Sequence, residues 1–482
     1  MSSARSAVAR AKEAAKLPRV RRLALFTLSM LLLVAAPRAA HAAGTLSAQG
    51  TPIQTSNYSL DLFQGPTLAS SRVTAMGGAY AGLAEGSEGI PTNAAAASQR
   101  YPYSTTRMDY EVTGSVTFPG SVSRTDFDNN GRVGFRYDDF VFATLGGFFQ
   151  YEHWGFGSVV SAQNYSLGRS SLDVTGPSGL QDLTLRLFKV DLVASYGFLN
   201  DQLHIGGGLR GAVFSAATTS RTSFLGEKLL FGTYGAGLQV GALWRPLHLP
   251  LRFGATFRSP ILASTDATTS LVREDPATGD RTVGGFFLPN GVNQPFEAEW
   301  GIAVQIGPRP LNIPWTDEDT LGGPEVEAER RVLDHNGKKT REPEYKAARR
   351  ILRQRYRAIN RQKLLLSYAM LVTGPTGQAV GIESMLRQVV DRSGEKSSLT
   401  VRAGGEVEVV RNVLQLRGGS YVEPTRFRES TARLHATAGF EMRVLDWSVF
   451  GLYPEDNSFR ISGAVDVSRE YFGWSLGIGS WY

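Results

Sequence analysis

The chain has 482 residues, of which 53 are glycine, 10% are aromatic and none is cysteine. Without cysteine it can form no disulfide framework, no thiol nucleophile and no thiolate metal site. The formal net charge of +7 is concentrated before residue 43, because the residues that follow carry 43 basic and 43 acidic side chains. A neutral chain body removes the main sequence-level support for nucleic-acid binding.

Residues 1–42 are predicted to be a signal peptide. Three arginines within Arg19–Arg22 precede the apolar segment Leu23–Ala36, and Ala40–Ala42 supplies an A-x-A cleavage site. The apolar segment is too short to span a bilayer, which takes about 20 residues. The paired arginines leave a twin-arginine signal as an alternative. Either signal predicts export from the cytoplasm.

Residues 107–482 are predicted to form an all-β domain, a transmembrane antiparallel β-barrel of about 14 strands. Apolar residues alternate with small or polar ones over segments of ten to sixteen residues, as at 296–306, where Glu297, Glu299 and Gln305 lie opposite the apolar face. The predicted strands are 107–118, 140–152, 155–167, 182–198, 203–217, 228–245, 251–264, 296–307, 363–374, 398–411, 413–422, 431–444, 459–468 and 471–482.

The alternative to a membrane barrel is a soluble secreted β-protein. The apolar faces are too numerous and too evenly spread for one dry core, and the opposite faces mix charges with glycine. Short and long connections also alternate, which is typical of periplasmic turns and external loops. We therefore expect a Gram-negative outer-membrane barrel in contact with lipid and lipopolysaccharide. Gly477 and the final Tyr482 resemble the C-terminal signal that the outer-membrane insertion machinery reads.

Residues 43–106 are predicted to be a hatch that fills the barrel. The stretch 65–103 is small, flexible and nearly uncharged, and the pair Gly77-Gly78 would cost a helix about 1 kcal/mol per glycine. A chain accepts that cost where its backbone must approach something closely.

The hatch sequence resembles that of the FadL/TodX-type outer-membrane transport family. The similar residues are Ser71–Tyr80, then Ala84–Gly86, then Thr92–Ala95, with Ala94 where the family usually has proline. The resemblance implies diffusive passage of hydrophobic small molecules, such as long-chain fatty acids or aromatic hydrocarbons, through a hatch-gated pocket. It also implies the residues that form and gate that pocket, namely Arg72, Gly77, Gly78, Tyr80 and Asn93.

PorV-type barrels share this pattern, and they imply a second function. The chain would then be a non-transporting scaffold or adaptor of a secretion or envelope complex. A general porin is a third, weaker alternative, since a filled lumen would block ions. No serine-hydrolase, Walker or dinucleotide motif is found, so we expect no enzyme activity.

Residues 308–362 are predicted to be a charged, partly helical periplasmic insert. Asp317–Glu329 holds six acidic and no basic residues, whereas Lys338–Lys363 holds eleven basic and two acidic ones. Helical spacing of apolar residues predicts an amphipathic helix over Glu344–Asn360. Residues 325–362 are either a docking element for a periplasmic partner or a solvated helix folded against its own acidic half.

The first external loop contains a weak calcium motif. Asp126, Asp128 and Asn130, followed by Gly131, match the first half of a calcium loop, but Tyr137 occupies the position where a bidentate glutamate is expected. The alternative is a polar turn. No other cofactor is expected.

Two further features of the wall have alternative interpretations. A phase slip at Leu187-Phe188 indicates an ordinary β-bulge or, less favoured, a lateral opening. Charged residues predicted to face inward either line a polar path or, the favoured interpretation, pair across the lumen and hold the hatch. They are Arg186, Lys189, Asp191, Glu297, Glu299, Arg402, Glu406, Glu408, Arg433, Glu441, Arg443, Arg460 and Asp466.

Overall fold

The computed structural model describes twelve stretches of the chain. They are residues 46–100, 107–120, 125–133, 136–168, 182–219, 227–267, 272–283, 285–315, 323–335, 338–358, 363–446 and 458–481. The predicted signal peptide and Tyr482 therefore lie outside the described residues.

Fourteen strands form the wall of the molecule. They are β1 Met108–Pro119, β2 Arg136–Tyr151, β3 Trp154–Gly168, β4 Asp182–Phe198, β5 Leu203–Thr219, β6 Glu227–Trp244, β7 Leu251–Arg258, β8 Glu297–Ile306, β9 Leu364–Thr373, β10 Ser398–Val410, β11 Leu414–Glu423, β12 Arg433–Asp446, β13 Ser458–Ser468 and β14 Tyr471–Trp481.

The wall is a closed antiparallel barrel. Each strand pairs with its neighbours in sequence, and β1 pairs with β14 from Gly114↔Ile478 to Pro119↔Gly473, which closes the sheet. Closure leaves no unpaired barrel edge in a lipid environment. The predicted fourteen-stranded barrel is confirmed.

The outer face of the barrel is apolar. Alternate residues of each strand present large hydrophobic side chains outward, among them Leu145, Phe156, Leu192, Leu209, Val240, Phe257, Trp300, Leu366, Leu416, Phe440, Ile461 and Leu476. Aromatic side chains cluster at both rims, with Trp154 and Tyr196 in contact at one (ring centroids 4.8 Å apart) and Phe118 stacked on Trp474 at the other (4.4 Å). An apolar band between aromatic rims is the surface of an outer-membrane barrel.

Short turns mark one end of the barrel, which we call the periplasmic end. Long connections and residues 46–64 gather at the external end. A four-stranded sheet there has the order Ala379–Val380, Ser59–Asp61, Gly291–Gln294 and Ile261–Ser264. Other short strands are Asp266–Ala267, Arg273–Glu274, Arg281–Val283 and Phe286–Phe287 in the external connections, and Val332–His335 and Lys338–Arg341 in the insert.

The described stretches contain four α-helices outside the wall strands. They are α1 Ser71–Ala75, α2 Pro324–Glu329, α3 Glu344–Ala358 and α4 Ile382–Arg387, and short 3-10 helices cover Ser87–Gly89 and Ala94–Ser98. None of the helices within the described stretches is both long and apolar enough to cross a membrane.

The seventh strand is shorter than predicted. The sequence predicts one strand over 251–264, but β7 ends at Arg258 and the chain leaves the wall at Ser259-Pro260. Residues Ile261–Ser264 then pair with Gly291–Gln294 in the external sheet. Pro260 explains the break, because proline has no N–H to donate to a neighbouring strand.

The predicted bulge at Leu187-Phe188 is wrong. Strand β4 pairs with both neighbours in unbroken register through this point, with Leu187 opposite Phe214 and Phe188 opposite Val213. Leu185 and Leu187 face inward against the external hydrophobic core, so the inner face of β4 is itself apolar here. Arg186 consequently lies on the exposed outer face. The prediction that its side chain faces the lumen is wrong.

The charged insert folds on itself. Helix α3 packs Ala347, Ala348 and Ile351 against Val326 of α2, while Arg355 pairs with Glu325 and Arg350 with Glu342 (3.1 Å). The helix is confirmed over Glu344–Ala358, but Tyr345, one of the residues at the helical spacing that predicted it, is 37% exposed and lies outside the apolar contact. This is the arrangement of a helix folded against its own acidic half; docking of a periplasmic partner stays a prediction.

Candidate functional site: the hatch and its two cavities

The N-terminal segment runs through the barrel from the external to the periplasmic end. Residues 46–64, which we call the leader, lie among the external connections, where Tyr58, Leu60 and Leu62 join the largest hydrophobic core. Residues 65–100, the hatch, then descend inside the wall. At the periplasmic end Arg100 donates to the backbone oxygens of Glu152 (2.7 Å) and Arg107 (2.6 Å).

Wall glycines allow the hatch to touch the wall backbone. A methyl group on Gly301 would lie 2.8 Å from the Gly82 nitrogen, and one on Gly439 would lie 2.6 Å from the Ala75 side chain. Real Cβ atoms are not found so close, so these positions admit no side chain. We call the set the glycine collar, and it consists of Gly155, Gly206, Gly241, Gly254, Gly301, Gly404, Gly419 and Gly439.

Gly77 and Gly78 turn the hatch after α1. Their φ angles are +61° and +74°, in the left-handed region that side chains rarely adopt. A methyl group on Gly77 would also meet the Ser420 nitrogen of β11 at 2.9 Å. The glycine pair therefore serves both a turn and a close approach to the wall.

Asn93 joins three parts of the structure. Its side-chain oxygen accepts a hydrogen bond from the Ala95 N–H (3.0 Å) and caps the 3-10 helix that begins at Ala94. Its amide donates to the Ala81 oxygen (3.2 Å) and to the Ala242 oxygen of β6 (3.0 Å). Ala94 occupies the first helical position, which proline also suits, so the turn forms without the family's proline.

Buried ion pairs join the hatch to the wall. Arg72 contacts Glu85 (2.8 Å) and Glu406 of β10 (3.4 Å), and Glu85 also contacts Arg252 of β7 (2.7 Å). Burial acts to raise the pKa of Glu85, but Arg252 and Arg72 outweigh it and lower the pKa to about 2.

The wall charges also pair with one another along the inner face of the wall, between strands that lie close together. Glu299 contacts Arg258 (2.7 Å) and Arg402 (3.0 Å), and Glu441 contacts Arg460 (2.6 Å). Arg460 in turn contacts Glu88 of the hatch (2.6 Å). The favoured prediction, that inward charges pair and hold the hatch, agrees with these contacts.

An apolar cavity of about 30 Å³ lies above the hatch, between the leader and the external connections. Its apolar lining consists of Leu62, Phe63, Phe127, Leu187, Ile382 and Phe427. Its polar side includes Asp61, which pairs with Arg426 (2.8 Å), and Asp128. The apolar lining suits a hydrophobic ligand, but the volume holds only a few water-sized groups.

A polar cavity of about 100 Å³ lies below the hatch, at the periplasmic end. Its lining includes seven cationic side chains and five carboxylates. They are Arg72, Arg100, Arg245, Arg252, Arg309, Lys363 and Arg460, with Glu85, Glu88, Glu111, Glu406 and Glu441. The hatch thus separates an apolar cavity from a strongly charged one.

The five predicted hatch residues do not form one pocket. Arg72 lines the lower cavity. Tyr80 is fully buried, and its hydroxyl donates to the Glu85 backbone oxygen (3.2 Å). Gly77, Gly78 and Asn93 lie against the wall. Sequence reasoning missed the residues of the upper cavity. The only signal for them is the apolar cluster Leu60–Phe63 directly before the hatch.

The calcium motif forms a closed polar turn. The Asp126 carboxylate accepts hydrogen bonds from the backbone N–H groups of Asn130 (3.0 Å) and Gly131 (2.8 Å). Burial, followed by the neighbouring carboxylates Glu383, Asp126 and Asp391, raises the pKa of Asp128. Among the described stretches, no three His, Cys, Asp or Glu side chains are placed to hold a metal. Calcium binding stays a prediction.

His204 and His435, on the inner face of the wall, are buried in local hydrogen-bond networks. His204 contacts the Ser98 hydroxyl (2.8 Å) and the Asp201 backbone oxygen (3.1 Å). His435 lies between Asp466 (2.7 Å) and Glu423 (2.6 Å). Both side chains are 0% exposed, so neither faces a space that a substrate can reach in this state.

Comparisons with known proteins identify barrels of similar architecture. No described protein family and no curated protein matches the sequence. Similar solved structures include a FadL homologue from Pseudomonas aeruginosa (11% identity, TM-score 0.46, covering 89% of this chain and 99% of that one). Others are the CymD monoaromatic hydrocarbon channel (10%, 0.47, 86% and 97%) and the toluene transporter TodX of P. putida (12%, 0.46, 85% and 96%).

At these identities and scores the likeness concerns the fold alone. The chain itself adopts the arrangement that the FadL/TodX-type resemblance implied, a barrel filled by an N-terminal hatch.

The glycine collar predicts a position-specific effect on stability. Gly419→Ala places a methyl group 2.5 Å from the Gly77 nitrogen, whereas Gly418→Ala meets nothing closer than 3.8 Å. We expect Gly419→Ala to lower the free energy of unfolding by about 1–3 kcal/mol, as measured by urea titration of the detergent-folded barrel. Equal effects of the two substitutions would contradict a backbone contact at the collar.

The Glu85 ion pairs predict loss of hatch stability in acid. The pKa of Glu85 is lowered in the folded state, so its contribution is fully present above its ordinary value of 4.5 and is lost as pH falls toward 2. We expect hydrogen-exchange protection of the hatch to decrease between pH 5 and pH 3 by less in Glu85→Gln than in the wild type. Glu395→Gln, in an external ion pair with Arg428 (2.6 Å), is the control and should behave as the wild type.

Proposed function

We propose that this outer-membrane barrel conducts hydrophobic small molecules, such as long-chain fatty acids or aromatic hydrocarbons, by diffusion, and that the hatch is its gate. The observation that carries the proposal is the apolar cavity between the leader, the external connections and Leu187 of β4. Lipopolysaccharide resists apolar solutes, and a protein site that removes them from water gains about 25 cal/mol per Å² of apolar surface buried.

The position of the apolar cavity supports a role as a first binding site. Phe127, Ile382 and Phe427 come from three external connections, and Leu62 and Phe63 come from the leader. A ligand held there would contact the segment that continues directly into the hatch. Displacement of the leader by a ligand would therefore act on the gate.

The contacts below this cavity support a movable gate. Polar links join the hatch to the wall, including Arg72–Glu406 and Glu88–Arg460, and such links can exchange partners in the charged lower cavity. The collar glycines, in contrast, have no side chains, so no side-chain contact on the wall must be broken there. Opening would therefore shift the hatch as a unit along the collar. No energy source is needed for such a step.

A second candidate function is a scaffold or adaptor that does not transport. The observation that favours it is the solid packing of the hatch, since Ala75, Ala81 and Ala94–Ala97 are at most 1% exposed. The insert with helix α3 would provide its periplasmic contact surface. The two candidates differ in whether ligand binding and hatch movement occur.

Ligand binding in the apolar cavity is tested with Ile382→Asp. Ile382 lies at the start of α4, where an acidic residue suits the helix, so the variant is expected to fold. The new carboxylate would oppose burial of an alkyl chain. We expect binding of a fluorescent long-chain fatty acid to the detergent-folded barrel to weaken at least about tenfold.

Ile382→Val is the matched control for that experiment, and it should bind as the wild type does. No saturable binding to a well-folded wild type would favour the adaptor.

Gating is tested by locking the hatch to the wall. The hydroxyls of Ser87 in the hatch and Thr113 in β1 lie 2.6 Å apart, and the chain has no cysteine of its own. The double variant Ser87→Cys/Thr113→Cys should therefore form a single specific disulfide. We expect fatty-acid uptake into proteoliposomes to stop on oxidation and to return with reductant.

Each single cysteine variant should be insensitive to oxidant. Uptake that continues at the wild-type rate through the oxidised double variant would refute gating by the hatch.

A further inference from the structure

In the part of the chain that the structure describes, Arg245 is a buried cation without a counter-ion. It lies just after β6 at the periplasmic end and is only 2% exposed. Its guanidinium donates to the Ile313 backbone oxygen, while its buried Nε has no hydrogen-bond partner. Within the described stretches, no carboxylate lies within 4.0 Å of this guanidinium. A charge buried in this way is costly.

The carboxylates that act on Arg245 from a distance already have other partners. Asp201 contacts His153 (2.9 Å) and accepts from the Trp315 N–H (3.4 Å). Glu85 is shared by Arg72 and Arg252. Burial and, second, the nearby Arg252 lower the pKa of Arg245 to about 9. Arg245 therefore remains protonated at pH 7.

The neighbouring Arg252, at the same end of the barrel, has both an ion-pair partner and hydrogen-bond acceptors. It contacts Glu85 (2.7 Å) and donates to Asn312 Oδ1 (2.8 Å) and to the Leu311 backbone oxygen (2.7 Å). Both arginines line the same polar cavity. The difference between them is therefore one of partners and not of location.

Arg245 differs from the other cations of this cavity. Seven cationic side chains and five carboxylates line it, and Arg100 and Arg309 pair with Asp109 (2.9 Å) and Glu408 (3.5 Å) outside the lining. Among the described residues, Arg245 is therefore the lining cation that has no ion pair. Electrostatic attraction is strong in such a site, because the effective dielectric constant of a protein interior is far below that of water. A volume of about 100 Å³ holds a small anion or one head group, but no whole lipid.

We infer that the lower cavity is an anion-binding site in which Arg245 binds a carboxylate. The carboxylate is either a small free anion or the head group of an amphiphile. Its oxygens would accept from the guanidinium, since arginine presents a planar pair of donors that matches a carboxylate. The inference does not rest on the proposed transport of hydrophobic molecules, because the site would also bind an anion in a barrel that transports nothing.

The site is tested by calorimetric titration of the full-length folded barrel at constant ionic strength. The probes are sodium acetate, sodium decanoate and uncharged decanol. We expect saturable carboxylate binding that is at least tenfold weaker in Arg245→Gln, which removes the charge and keeps a polar side chain. If acetate binds, a small free anion is sufficient to occupy the site. If decanoate binds in an Arg245-dependent way and acetate does not, the ligand is the head group of an amphiphile.

Arg469→Gln is the control, because Arg469 is an exposed cation of the β13–β14 turn; its carboxylate affinity should equal that of the wild type. If Arg245 had only a structural role, Arg245→Gln would unfold at a lower denaturant concentration than the wild type. We expect that variant, tested without added carboxylate, to unfold at the same or a higher concentration than the wild type, since a buried unpaired charge is removed.

No saturable binding of either carboxylate, or equal binding by wild type and Arg245→Gln, overturns the inference. If Arg245→Gln does not fold, wild-type crystals soaked in sodium bromide decide the question by anomalous scattering. A bromide peak within roughly 4 Å of the guanidinium supports the site, and its absence overturns it.

Discussion

Direct contact between the backbone of the hatch and the backbone of the wall is the constraint on which the rest of the structure depends. Eight strands contribute a glycine to the collar, and at each of them a side chain would push the hatch away. The hatch residues that lie against the collar are small, among them Ala75 and Ala81. Small residues on both surfaces allow close packing but supply little apolar surface. Larger hatch side chains such as Tyr80 and Leu83 form a smaller hydrophobic cluster with the wall, and the largest hydrophobic core surrounds the leader at the external end.

This division gives the molecule three layers along its axis. The external layer is a hydrophobic core built from the leader and the external connections. The middle layer is the hatch against the collar, and the lower layer is a network of buried ion pairs. Buried ion pairs add little net stability but are costly to break singly, so the lower layer fixes the position of the hatch more than it stabilises the fold. A hydrophobic ligand would meet the external layer and an anion the lower one.

The wall could be predicted from the sequence because alternation in a lipid-facing strand is set by the solvent on each side. Fourteen strands followed from that pattern, and the hatch followed from a short motif around Gly77-Gly78. The pattern failed where the inner face is also apolar, as at Leu185 and Leu187, because the partner that covers them comes from the leader more than 100 residues earlier. It failed again at Pro260, where the chain leaves the wall for a long-range sheet. Arg245 carries no signal in the sequence at all, since its character depends on which carboxylates lie near it.

The parallel pairing of Ser59–Asp61 with Gly291–Gln294 and Ala379–Val380 has a consequence for biogenesis. The leader is held at the external end and β1 begins at the periplasmic end, so the chain between them passes through the lumen. Once the leader is paired in the external sheet, the hatch can no longer enter a closed barrel. A chain whose leader pairs early must therefore close the seam between β1 and β14, six residue pairs long, around the hatch.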